Sequence, residues 1–190
     1  VTGPAFRGHV HHTVDLSEHR NNVAFTTPVA LDRGRLNVWG NSLPAGTLPS
    51  GRHLLGDVLF DLPEADGRAP DNVRCAGQFV TLPRVRADWI HLVATSERRC
   101  EEFVHIHHSS GAVDVEWLRV SDFWSADPHF GESVAGRSAD MHYPHHVQRG
   151  LIGLVWLVRV PVPRREEITG IRLPDNPALH VFGLTLEAVT

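Results

Sequence analysis

The feature that most constrains this chain is its punctuation. Turn residues interrupt it roughly every 10–20 residues, and between them lie short runs that alternate apolar with polar side chains. The runs read GHVHHTVDL, GRLNVWG, GDVLFDLP, NVRCAGQFVTLP, WIHLVATS, EEFVHIHH, VDVEWLRVSDFW, GLVWLVRVPVP, EITGIRLP and ALHVFGLTLEAV. A period of two sends successive side chains to opposite sides of an extended strand. No segment of helical length carries a 3.6-residue repeat with caps; PRREEITG would make one turn at most. About ten strands without crossover helices bury their apolar sides by packing sheet on sheet. The sequence therefore predicts an all-β fold, a two-sheet antiparallel β-sandwich or jelly roll, with residues 1–190 as one domain.

Two segments can be read more closely. FVHIHHSSGAVDVEWLRV predicts a strand, a Ser-Ser-Gly turn and a returning strand. Alternation puts Val104 and Ile106 on the inner side and His105 and His107 on the outer side, opposite Asp114 and Glu116. ALHVFGLTLEA is apolar on both sides and predicts a central strand covered on both faces. Its two sides read as Leu179, Val181, Gly183 and Thr185 against His180, Phe182, Leu184 and Leu186.

The composition narrows the partners. Hydrophobic residues make up 42% and charged residues 21%, enough for one core. No apolar run nears the ~18 residues of a membrane span. The net charge of -4 argues against a nucleic-acid binder, which presents a basic face. No signal-peptide or membrane-spanning pattern is read, which leaves secreted and cytoplasmic locations equally open. Cys75 and Cys100 are expected as buried free thiols, although one disulfide would be allowed in an oxidising compartment.

Several of these phrases, in this order and spacing, resemble a known family. VDLSEHRNNVAFTT, RLNVWGNSLPAGTLPSG, DVLFDLP, DNVRCAGQFVTLP, GAVDVEWLRVSDFW and WLVRVPVPRREEITGIRLPDNPALHVFGLTLEA are similar to a β-sandwich accessory domain of secreted actinobacterial glycoside hydrolases, such as α-L-fucosidase-like and α-mannosidase-like enzymes. The likeness runs from Val14 to Glu187. It implies a carbohydrate-binding-type module without catalysis of its own. The chain departs from that pattern in its histidines, notably His105, His107, His108 and the segment 139–150.

The 14 histidines carry the chemical candidates. The segment DMHYPHHVQRG reads as a loop between strands, and such loops carry binding sites. Trp124, His142, Tyr143, His145, His146 and Arg149 supply rings for the C–H face of a sugar and polar groups for its hydroxyls. These six are the expected ligand contacts. His9 and His11 form an H-x-H on one strand face, a spacing that suits zinc or another transition metal. Asp122 and Asp127 offer a weaker calcium option, since that ion takes about 6 to 8 oxygens. No G-x-S-x-G, P-loop, H-E-x-x-H or C-x-x-C pattern is present. The leading expectation is non-catalytic recognition of a carbohydrate or glycoside. The alternatives are a metal-assisted or histidine-based enzyme, in which His9, His11, His105, His107 and the 142–146 cluster converge, and an interaction subunit of a separate enzyme chain or a homo-oligomer.

Overall fold

The computed structural model describes residues 9–189; the expected start of the first strand at Gly8 lies outside them. In chain order the strands are β1 (His9–Val14), β2 (Phe25–Thr26), β3 (Leu43–Pro44), β4 (Gly51–Leu55), β5 (Val58–Leu62), β6 (Val73–Arg74) and β7 (Phe79–Arg86). They continue as β8 (Trp89–Ser96), β9 (Cys100–His108), β10 (Val113–Val120), β11 (Ser133–Tyr143), β12 (His146–Pro161), β13 (Glu167–Arg172) and β14 (Leu179–Val189). The fold is a β-sandwich. One six-stranded sheet runs β1-β14-β8-β12-β11, with β6 also paired to β14. The facing sheet runs β10-β9-β13-β7. Their pairings are antiparallel, whereas the short β2-β3 pair is parallel.

The main core lies between the two sheets. Leu92, Trp156, Leu184 and Leu186 of the large sheet meet Val104, Ile106, Leu118 and Ile171 of the small one. A second core covers the other face of the large sheet, where Phe25, Leu43, Phe60 and Leu62 pack on Val93, Val155 and Phe182. The molecule thus has three layers, the third built from residues between β1 and β6. This explains the doubly apolar pattern of β14. A bulge between Val181 and Gly183 changes the expected grouping, because Phe182 becomes the extra residue. Leu179, Val181, Leu184 and Leu186 face the main core, while Phe182 faces the second.

The hairpin of β9 and β10 forms at the predicted place. The His108 amide donates to the Ala112 carbonyl at 2.9 Å, which closes a Ser109-Ser110-Gly111 loop. Gly111 has φ 88°, the left-handed conformation such a loop needs. The register places His105 opposite Val115 and His107 opposite Val113. Asp114 and Glu116 therefore do not face His105 and His107, as alternation alone allowed; they share the inner side with Ile106 and Val104. There Asp114 lies 2.9 Å from the buried His108 Nε2, off the line of a good hydrogen bond, and takes two bonds from Arg164. Charges pointing inward on an edge strand discourage pairing with another sheet.

Both cysteines are free and buried. Burial pushes both thiols above the ordinary range, Cys100 to about 11. Neither supplies a ready thiolate at neutral pH.

Candidate functional site

The segment predicted as a loop is a hairpin. β11 and β12 run to its tip, where Tyr143 pairs with His146 around a Pro144-His145 turn. Five of the six expected contacts lie in this hairpin, His145 exposed at its turn and the other four engaged by neighbouring groups. His142 is buried, with Nδ1 2.8 Å from Thr26 Oγ1, and Thr26 is bonded in turn to Ser42. Its backbone exchanges two 2.9 Å bonds with Ser42. Burial holds its pKa below the usual value, so it is a neutral packing residue. Tyr143 and His146 stack on each other at 4.9 Å. Arg149 forms an ion pair with Asp140 across the hairpin.

Trp124 does not join this group. It leans on Phe123 at 4.2 Å, and the Phe123 carbonyl accepts from Leu154 on β12. Leu154 is roughly 25–30 Å up the strand from His145, at about 3.3 Å per residue. Nor do His9 and His11 approach the hairpin, because β1 and β11 are opposite edges of the large sheet. His105 and His107 lie on the outer side of the other sheet. Topology thus keeps apart the histidine clusters whose convergence the histidine-based enzyme reading required. Asp122 bonds the Trp124 amide at 3.0 Å, as a turn residue does.

The structure gathers a different set. A groove of about 970 Å³ runs along one flank of the sandwich. Trp117 and Arg119 of β10 line it from one sheet, and His91, Leu157 and Arg159 line it from the other. Phe130 and Glu132 form its end wall, and Asp57, in the β4-β5 turn, forms its lip. The end wall is clamped, since Glu132 accepts from the Ser121 amide at 2.6 Å, the Ser121 hydroxyl at 3.0 Å and the Phe130 amide at 3.0 Å. Two guanidiniums are held by rings, Arg119 over Trp117 at 4.9 Å and Arg159 over Trp89 at 4.6 Å.

Beside the groove, Glu187 of β14 collects histidines from both neighbouring strands. Its carboxylate accepts from His91 Nε2 at 2.6 Å and pairs with His9 Nδ1 at the same distance. His11 lies directly opposite Glu187, and its Nδ1 accepts from the Leu59 amide at 3.4 Å. His9 and His11 do share a face, as their spacing requires, but their Nδ1 atoms are engaged by a carboxylate and a backbone amide. Among the described residues no group of three or more His, Cys, Asp or Glu is arranged to hold a metal ion.

Sequence reasoning missed His91, Glu187, Trp117 and Arg159. One signal was available: His91 interrupts an otherwise apolar strand, WIHLVATS. Nothing local connects it to Glu187, which is 96 residues away.

Fold and site together define a β-sandwich domain with a polar and aromatic groove on its flank. The chain belongs to the AziU2-like beta-sandwich domain family, whose model matches residues 10–190. No curated protein matches the chain. The match agrees with the expected sandwich and reaches no further into the resemblance to glycoside hydrolase accessory domains.

Proposed function

We propose that this domain recognises a carbohydrate or glycoside in the flank groove. The observation that carries the reading is the groove's lining, which sets Trp117 and Phe130 beside Arg119, Arg159, Asp57 and Glu132. A sugar ring has an apolar C–H side and a rim of hydroxyls. It needs aromatic surface for the first and planar, fixed polar groups for the second. The resemblance to accessory domains of glycoside hydrolases supports the same ligand class.

The test is a broad glycan array followed by titration. Trp117→Ala and Arg159→Ala are each expected to weaken the best binder by about tenfold or more. Trp124→Ala and Tyr143→Ala are expected to leave it unchanged. A blank array, or binding indifferent to both groove variants, ends this reading.

One observation favours a second reading, an interaction subunit. The outer face of the small sheet exposes Phe103, Val113, Val115 and Trp117 as neighbours, a contiguous apolar patch of the kind that marks a protein contact. If a second copy of this chain docks there, sedimentation will show a dimer that Val115→Asp returns to monomer. Monomeric wild-type protein at high concentration removes that version.

A further inference from the structure

The groove contains more than recognition needs. Of the histidines gathered around Glu187, His91 is the one that lines the groove. Its side chain is 13% exposed, whereas that of His9 is 59% exposed. An ionised carboxylate only accepts, so each imidazole bonded to Glu187 must donate to it. The 2.6 Å contact therefore assigns the proton of His91 to Nε2 and leaves the lone pair on Nδ1. A ring fixed by a carboxylate on one nitrogen and bare on the other is the arrangement of a base and its orienting group.

We infer that His91 is a general base toward whatever fills the flank groove and that Glu187 is its positioning residue. This inference rests on the groove being a ligand site, and it extends that reading from holding a molecule to deprotonating it. The substrate class is a molecule bearing an O–H or N–H, as a sugar hydroxyl does. In the step, the substrate's X–H bond breaks and an H–Nδ1 bond forms. The electron pair stays on X, and His91 becomes an imidazolium opposite the Glu187 carboxylate. The proton then leaves to product or water, so no oxidant or second reactant is required.

The surrounding charges suit this role. Burial, with smaller contributions from His11 and Arg159, lowers the His91 pKa against the opposing pull of Glu187. The imidazole is thus a free base at neutral pH. Burial alone would raise Glu187, but bonds and charge from His91 and His9 hold it below the ordinary range. The charged or titratable groups around His91 are Glu187 on β14, His9 and His11 on β1 and Arg159 on β12, with Asp57, Arg119, His129 and Glu132 lining the same groove. A purely structural histidine would share the bond to Glu187. What sets His91 apart is that it also lines the groove and that its Nδ1 has no hydrogen-bond partner among the described residues.

Two readouts test this without any sugar. Long-range proton–nitrogen NMR of the intact, ¹⁵N-labelled protein is expected to show His91 protonated on Nε2 and bare on Nδ1. Diethyl pyrocarbonate then acylates the bare nitrogen, with N–C bond formation and release of ethanol and carbon dioxide. Near about pH 5.5, where an ordinary imidazole of pKa ~6.5 is mostly protonated, His91 is expected to react several-fold faster than N-acetylhistidine in the same tube. Glu187→Gln removes the charge that pulls the His91 pKa up, so the ring stays a free base at this pH; what it is expected to lose is the fixed tautomer, with Nδ1–H appearing at His91 in the NMR spectrum and the exposed His53 unaffected. An Nδ1–H tautomer at His91 in the wild-type protein overturns the inference, as does a rate no greater than that of N-acetylhistidine or a tautomer unchanged by Glu187→Gln. Because neither readout uses a glycan, a blank array leaves them standing, and their failure leaves sugar recognition standing.

Discussion

Asp71→Ala is expected to lower the unfolding free energy by about 3–5 kcal/mol, measured by urea denaturation at neutral pH. Asp71 has no exposed surface, and it staples the third layer to the sandwich. Its carboxylate accepts from the Ala24 amide at 2.9 Å, the Phe25 amide at 3.0 Å and Asn72 Nδ2 at 2.8 Å. Alanine would leave these buried donors without an acceptor, at about 1–3 kcal/mol for each that finds no water.

The same network gives a pH signature whose sign can be worked out. Burial pushes Asp71 up to about 6, although Asn72 and the two amides pull the other way. The unfolded carboxyl titrates near 3.8. Between about pH 4 and 6 the native state therefore binds more protons, and this group's contribution is present at low pH and lost as pH rises through about 6. His180, bonded to Asn72 at 2.9 Å, does the reverse. Burial pushes it down to about 3 from 6.5, so its contribution is lost as pH falls below about 6.5. In the wild-type protein the two slopes oppose each other between about pH 4 and 6. Asp71→Asn removes one of them. Its stability should then fall with acidification more steeply than that of the wild type, by up to about 1.4 kcal/mol per pH unit. Parallel curves for the two proteins would mean that Asp71 is not protonated in the native state in this range.

What the sequence made legible follows from what is local. Alternation and turn residues act over a few positions, so the strands, the Ser-Ser-Gly hairpin and the doubly covered β14 could be read directly. DMHYPHHVQRG was misread as a loop because its polar residues hid a hairpin whose turn is only Pro144-His145. The Phe182 bulge was invisible because it is set by how β14 meets β8 and the third layer. The site was hidden for a related reason. His91 and Glu187 become neighbours only once β14 has been placed beside β8, and no periodicity specifies the order of strands in a sheet. The histidine runs drew the eye by density. The residues that meet at the groove come from strands and turns far apart in the chain.

Trp156→Ala is the second large effect, expected to cost about 3–5 kcal/mol, whereas Trp117→Ala should stay within about 1 kcal/mol. Trp156 has no exposed surface and belongs to the main core, while Trp117 is 46% exposed. Truncating the first leaves a cavity between close-packed sheets. Truncating the second removes surface that water already reaches. Trp156 also has a polar task, because its Nε1 donates to the Asp122 carbonyl at 3.1 Å. Asp122 adjoins Ser121, the residue that Glu132 clamps to form the groove's end wall. Trp156→Phe should keep most of the packing, lose about 1 kcal/mol with the indole bond, since the Ser125 amide still reaches the Asp122 carbonyl at 3.5 Å, and loosen that wall. Amide hydrogen exchange would then rise at Ser121 and Phe130 while β9 stays protected. Stability in Trp156→Ala within about 1 kcal/mol of wild type, or exchange in Trp156→Phe that rises uniformly across both sheets, would show that this indole does not tie the core to the groove.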